Sequence, residues 1–231
     1  MRRQDVRVVV AFVAAGFSLA ATTGCGPAKP KPELPQAALP IGTSVAIAPP
    51  INVSGSPDVD MFKVADLMAS ELSTIPGIGV IGVNRVLAVM AEQGQRQVMS
   101  PEHALALCDR LGADCIMVFA VTEYHPYMPP VMGITAELYG KTADHSMQLD
   151  PVAMSQMVRP FVVLPDERAP KPWAQMQKTF NANHEAIQQE VKAYADGRSA
   201  NKTPFGWKKY LANQQDYLRF CCFSIARDLV Q

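Results

Sequence analysis

The chain carries no excess of either charge: 21 basic residues balance 21 acidic ones. That balance excludes the electrostatic footprint of a nucleic-acid binder. It also argues against holding anionic lipid through basic charge. Histidine is scarce, with four residues scattered along the chain. No Cys/His spacing matches a zinc site, so neither a metal nor a cofactor is expected. A P-loop, a metal-ligand helix and a nucleophile elbow are also missing, and no catalytic residue is assigned. Beyond residue 21, no stretch approaches the roughly 18 uninterrupted apolar residues that a membrane-crossing helix needs.

What is present begins at the N-terminus. Arg2, Arg3 and Arg7, set against Asp5, precede an apolar stretch from Val8 to Ala21. A helix over that stretch would be about 21 Å long, short of a hydrocarbon core of about 30 Å. It reads as a removable signal. Thr22-Thr23-Gly24-Cys25 follows and resembles a lipobox, in which the cysteine becomes the first mature residue and carries lipid. Thr22 stands where that pattern usually has Leu, so ordinary signal cleavage nearby is the alternative. Gly26, rather than Asp, follows the cysteine, and the resemblance then implies the outer membrane. Losing the leader removes three arginines and one aspartate, which leaves the mature chain slightly acidic.

Pro27, Pro30, Pro32, Pro35 and Pro40 exclude a helix or a central strand between Gly26 and Pro40. The stretch reads as a semi-rigid tether of up to roughly 45 Å, with a Pro-rich docking peptide as the alternative. Cys108, Cys115, Cys221 and Cys222 remain. An even remainder in an oxidising compartment permits disulfides, and the apolar setting of all four equally fits buried free thiols.

Ser44 to Ile51 reads as a strand stopped by Pro49-Pro50. Ser56-Pro57-Asp58 reads as a helix start, with Met61, Val64, Ala65, Met68, Leu72 and Ile75 at helical spacing. Ile78 to Val83 predicts a second strand. Asn84 then caps a short helix, and Ser100-Pro101-Glu102 caps another that ends at Gly112. Asp114 to Val121 is apolar on both faces, the mark of a central strand covered on both sides. Ile134, Ala136 and Leu138 alternate with polar residues, as in a half-exposed antiparallel strand. The expected class is α/β: a mixed sheet with helices packed on it, followed by a helical C-terminal segment. The ranges are 1–24 for the signal, 25–42 for the tether, 43–142 for the α/β domain, and 143–231 for an irregular segment with C-terminal helices.

Gly77-Ile78-Gly79-Val80-Ile81-Gly82 matches the dinucleotide fingerprint G-x-G-x-x-G letter for letter. The fingerprint needs a strand before the glycines and a helix opening on them. Here a helix precedes, and β-branched residues between the glycines make the strand itself. Glu123, Tyr124, His125 and Tyr127 close the central strand and read as a surface rim, with a catalytic Glu123–His125 pair as the weaker alternative. Trp207 and Tyr210 stand one turn apart beside Lys208 and Lys209. Such a cluster either grips a glycan or protein, or anchors its helix on the core.

Val45 to Asn52 with Ser54-Gly55-Ser56-Pro57, Asn84 to Gln93, Leu111 to Asp114, and the strand end Val121-Thr122-Glu123-Tyr124 resemble the curli-secretion (CsgG-like) lipoproteins. They resemble equally the group that shares the amino-terminal domain fold of TolB, which includes lipoprotein activators of peptidoglycan synthases. The resemblance spans Val45 to Leu138. It implies a periplasmic α/β domain tethered to the outer membrane and no catalytic residues. A curli-type channel also needs membrane strands of about 9–11 alternating residues. Between Thr142 and Trp173 only Val158 to Leu164 forms a short apolar piece.

The expected function is that of a non-enzymatic lipoprotein acting in envelope assembly or export. Its partners are the membrane, through the Cys25 lipid, and envelope proteins. Its partner surface includes Glu123, Tyr124, Tyr127, Trp207 and Tyr210, and the reading is compatible with an oligomer. The alternatives are a pore-forming secretion subunit and an activator of a peptidoglycan synthase.

Overall fold

A computed structural model describes residues 39–141, 170–198 and 204–230. Cys25, the leader and the tether up to residue 38 lie outside the described residues, as does the apolar piece Val158 to Leu164.

Strand β1 (Thr43–Ile47) lies parallel between β3 (Ile78–Ile81) and β4 (Cys115–His125). The prolines interrupt β1 without ending its path. Strand pairing resumes as β2 (Ile51–Asn52), parallel to Ala120 and Val121 of β4. Strand β5 (Val131–Gly140) returns antiparallel along β4, and β6 (Ala174–Asn181) returns antiparallel along β5. The strand order is β3-β1-β4-β5-β6, a mixed six-stranded sheet. The α/β class and the central, doubly covered β4 are as the sequence predicts. Strand β6 lies where the sequence suggests an irregular segment.

Alternation sorts the strands between two cores. Val45, Ile47, Cys115, Met117, Phe119, Ile134, Ala136 and Leu138 face one side. That side is covered by α1 (Met61–Leu72), α4 (Glu185–Gly197), α5 (Lys209–Ala212) and α6 (Gln214–Val230). Ala46, Ala48, Ile116 and Tyr139 face the other side, under α2 (Val83–Glu92) and α3 (Pro101–Leu111). Among the described residues, no helix is long and apolar enough to cross a membrane.

The helix ends follow local chemistry. Ser100 accepts from the His103 N–H at 3.2 Å, Pro101 opens α3, and Gly112 closes it at φ 66°. These match the sequence expectation. The start of α1 does not. Its cap is Asp60, whose carboxylate accepts from the Lys63 N–H at 3.0 Å. Ser56-Pro57-Asp58 instead sits in a turn, because the Asn52 side-chain amide donates to the Ser56 carbonyl at 2.8 Å. Helix α2 likewise opens at Gly82, two residues ahead of Asn84. His184 stands at the N-cap of α4 without a side-chain capping bond.

All four described cysteines are buried free thiols. Burial pushes the Cys108 thiol up to about 11 and the Cys115 thiol up to about 12. It raises Cys221 and Cys222 as well, so burial disfavours in all four the thiolate that disulfide exchange requires.

Candidate functional site

The carboxyl ends of β1, β3 and β4 point to one end of the sheet. The 53–60 loop, the first turn of α1 and the β4–β5 hairpin tip gather there. Asn52 organises the loop: its side-chain oxygen accepts from the Ser54 N–H at 3.1 Å and the Ser54 hydroxyl at 2.7 Å. Gly55 makes the turn at φ 75°, a conformation other residues rarely adopt. The Val53 N–H then donates to the Val121 carbonyl at 2.9 Å, fixing the loop against β4.

The hairpin is aimed by a β-bulge. Pairing shifts between Val121 and Glu123, which inserts an extra residue and reverses the alternation. Up to Val121, odd-numbered residues face the main core. Beyond the bulge it is Tyr124 that turns inward, while Glu123 turns out. Gly133 stands opposite the bulge, where a Cβ would overlap the Thr122 hydroxyl.

Tyr124 is therefore core rather than rim, at 4% exposure. Its hydroxyl accepts from the Gln214 amide at the start of α6. Burial, and then the carboxylates of Asp58 and Asp60, push that hydroxyl's pKa up. One side chain thus ties the hairpin to α6 beside the acidic loop. Glu123 and His125 stand 3.9 Å apart, with side chains 43% and 69% exposed. Solvent screens a pair of that kind, which contributes little.

Beyond Tyr124 the tip is apolar and open: Tyr127 is 79% and Met128 68% exposed. Val53 in the loop and Phe62 in the first turn of α1 are similarly open, at 59% and 61%. Pro126, Pro129 and Pro130 flank the tip and restrict its backbone.

Trp207 and Tyr210 belong elsewhere. Tyr210 is buried, with its ring edge-on to Tyr194 at a centroid distance of 5.3 Å. Trp207 packs half-buried against the main core. Lys209 faces Asp216 at 3.1 Å. Both aromatic rings anchor their segment on the core, the second of the two sequence readings. Tyr127 is thus the sequence-selected aromatic that remains open to a partner. Val53, Phe62 and Met128 carry no sequence signal, because an isolated apolar residue beside a turn has no periodicity.

The G-x-G-x-x-G stretch forms β3, hydrogen-bonded to β1 from Thr43↔Ile78 to Ala46↔Ile81. Its backbone is committed to the sheet, as the strand reading requires. Among the described residues, no group of three or more His, Cys, Asp or Glu could hold a metal ion.

No family model and no curated protein matches the chain. Several solved structures are similar to it. The lipoprotein GNA1162 from Neisseria meningitidis is 17% identical, over 70% of this chain and 99% of that one, with a TM-score of 0.41. PelC from Paraburkholderia phytofirmans, a dodecamer, is 21% identical over 45% of this chain and 64% of its own, at 0.30. The C-terminal domain of LpoB from Salmonella enterica is 10% identical over 46% and 80%, at 0.36.

Proposed function

We propose that this chain is a lipid-anchored envelope protein. It faces the periplasm from the outer membrane and acts by binding another protein, without catalysis. One juxtaposition carries the reading. A signal-like leader ends in Thr22-Thr23-Gly24-Cys25 and a proline-rich tether, and behind it stands an α/β domain with an open apolar end. The lipid fixes the compartment, the tether supplies reach, and the domain supplies the contact. Triacylation of Cys25 would make anchoring effectively permanent, since each buried CH₂ contributes about 0.8 kcal/mol. Gly26 after the cysteine favours the outer over the inner membrane.

Fractionation tests the anchor. Wild-type protein is expected with the outer membrane, and Cys25→Ser in the soluble periplasmic fraction or retained as precursor. A Cys25→Ser protein that still cofractionates with the outer membrane would mean that something other than the lipid holds it there.

A further inference from the structure

The open end of the sheet joins two features that rarely coincide on an idle surface. Val53, Phe62, Tyr127 and Met128 expose apolar atoms there, while singly exposed apolar residues are ordinary. The acids Asp58, Asp60 and Glu123 lie on the same loop and hairpin arm, all at least partly exposed. Topology brings these residues to one end. Strand β2 pairs with Ala120 and Val121, and Val53 bonds the Val121 carbonyl. Asp58 and Asp60 act on the Tyr124 hydroxyl, three residues before Tyr127. Asp60 caps the turn that carries Phe62. Lys63 is the exposed cation on that turn, and Lys209 is already engaged by Asp216.

This end is also held in shape before anything binds. The Asn52–Ser54–Ser56 hydrogen bonds, the Gln214–Tyr124 bond and the flanking prolines fix both loops. A preorganised surface loses little conformational freedom on binding. Tyr and Met are the residue types that interface centres favour, inside a polar rim.

Resting on the proposed function, we infer that this end is the docking face, and that its partner is a protein presenting an apolar centre within a basic rim. Charge decides against the membrane as occupant: an acidic rim is repelled by anionic headgroups. It decides equally against a second copy in face-to-face contact, because the same acids would meet across the two-fold axis.

The test is photocrosslinking in living cells with the full chain. A photoreactive phenylalanine analogue replaces Tyr127 in one strain and Gln177, on the exposed face of β6, in another. Each adduct is identified by mass spectrometry. The expected adduct at position 127 is with one defined protein, through a peptide on a basic surface. Its yield should fall about tenfold or more in the Asp58→Lys, Glu123→Lys background. Circular dichroism of that double variant should show wild-type melting, since neither residue caps a helix or enters the core. An adduct with lipid, an adduct with a second copy, or a yield indifferent to the charge reversal would overturn the inference. An adduct at position 177 alone would overturn the docking face and leave the proposed protein-binding role standing. No adduct at either position would count against both.

Discussion

Replacing Phe180 by Ala is expected to cost about 3–5 kcal/mol of stability, the range for truncating a buried phenylalanine. Phe180 is fully buried on β6, with its ring edge-on to Phe220 at 5.6 Å. Its carbonyl accepts from the buried Tyr217 hydroxyl at 3.0 Å. Phe220 and Tyr217 both lie on α6, and the core that contains them also holds residues of β1, β4, α1 and α4. All 8 residues of β6 pair along β5. The loss should therefore be felt by the whole domain. Urea unfolding of Phe180→Ala should show one transition at a lower midpoint with an unchanged slope. A second transition, with the β1–β4 region still at its wild-type midpoint, would mean that the C-terminal elements fold as a separate unit.

The other large effect is expected from Arg198→Ala. Glu71 on α1 is fully buried, held by the Arg198 guanidinium and by Arg219 at 3.4 Å. Arg198 follows α4 and Arg219 lies on α6, so one carboxylate fastens three helices. Arg198 also lies over the Tyr194 ring at 4.5 Å. The Tyr194 hydroxyl is near enough to favour the carboxylate's charge, yet it makes no hydrogen bond of normal geometry. Burial pushes the Glu71 pKa up, and the two arginines oppose that rise without cancelling it. A carboxyl whose folded pKa is raised contributes stability that is fully present below its unfolded value and is lost as pH climbs through the folded one. Removing Arg198 takes away the stronger of the two opposing charges, so the penalty deepens and reaches a higher pH. The variant should be about 3 kcal/mol less stable than wild type at pH 7.5. The gap should narrow at pH 5, because the raised Glu71 pKa makes the cost of the unpaired charge fall as pH falls. Denaturant titrations of both proteins at the two pH values measure it. A gap that does not change with pH would assign Arg198 a packing role over Tyr194 and no electrostatic one.

The contrast between β4 and β6 explains what the sequence could disclose. Strand β4 announces itself because Cys115 to Val121 is apolar on both faces. Strand β6 hides, because the residues it turns inward are Met176, Lys178 and Phe180. The inward lysine breaks the alternation, and the fold accommodates its amine through Glu190 at 2.9 Å, Ser224 at 3.1 Å and Asp228 at 3.5 Å. Those partners lie on α4 and α6, distant in sequence and invisible to local pattern. The α3 cap was legible because serine, proline and glycine act within their own turn. The α1 cap is not legible from Ser56-Pro57-Asp58, because Asn52, outside the helix, claims Ser56. The docking end was half legible. Tyr127 stood out as an aromatic at a strand end, but the bulge that buries Tyr124 and exposes Glu123 depends on Gly133 across the hairpin.

On the proposed function, lipidation of Cys25 would set the compartment in which the open end of the sheet meets its partner. The most direct measurement is the intact mass and N-terminal peptide of the protein purified from membranes. The expected result is a mature chain that begins at Cys25 and carries the added mass of a diacylglyceryl group with an amide-linked acyl chain. A mature chain that begins elsewhere, with Cys25 absent or unmodified, would contradict it.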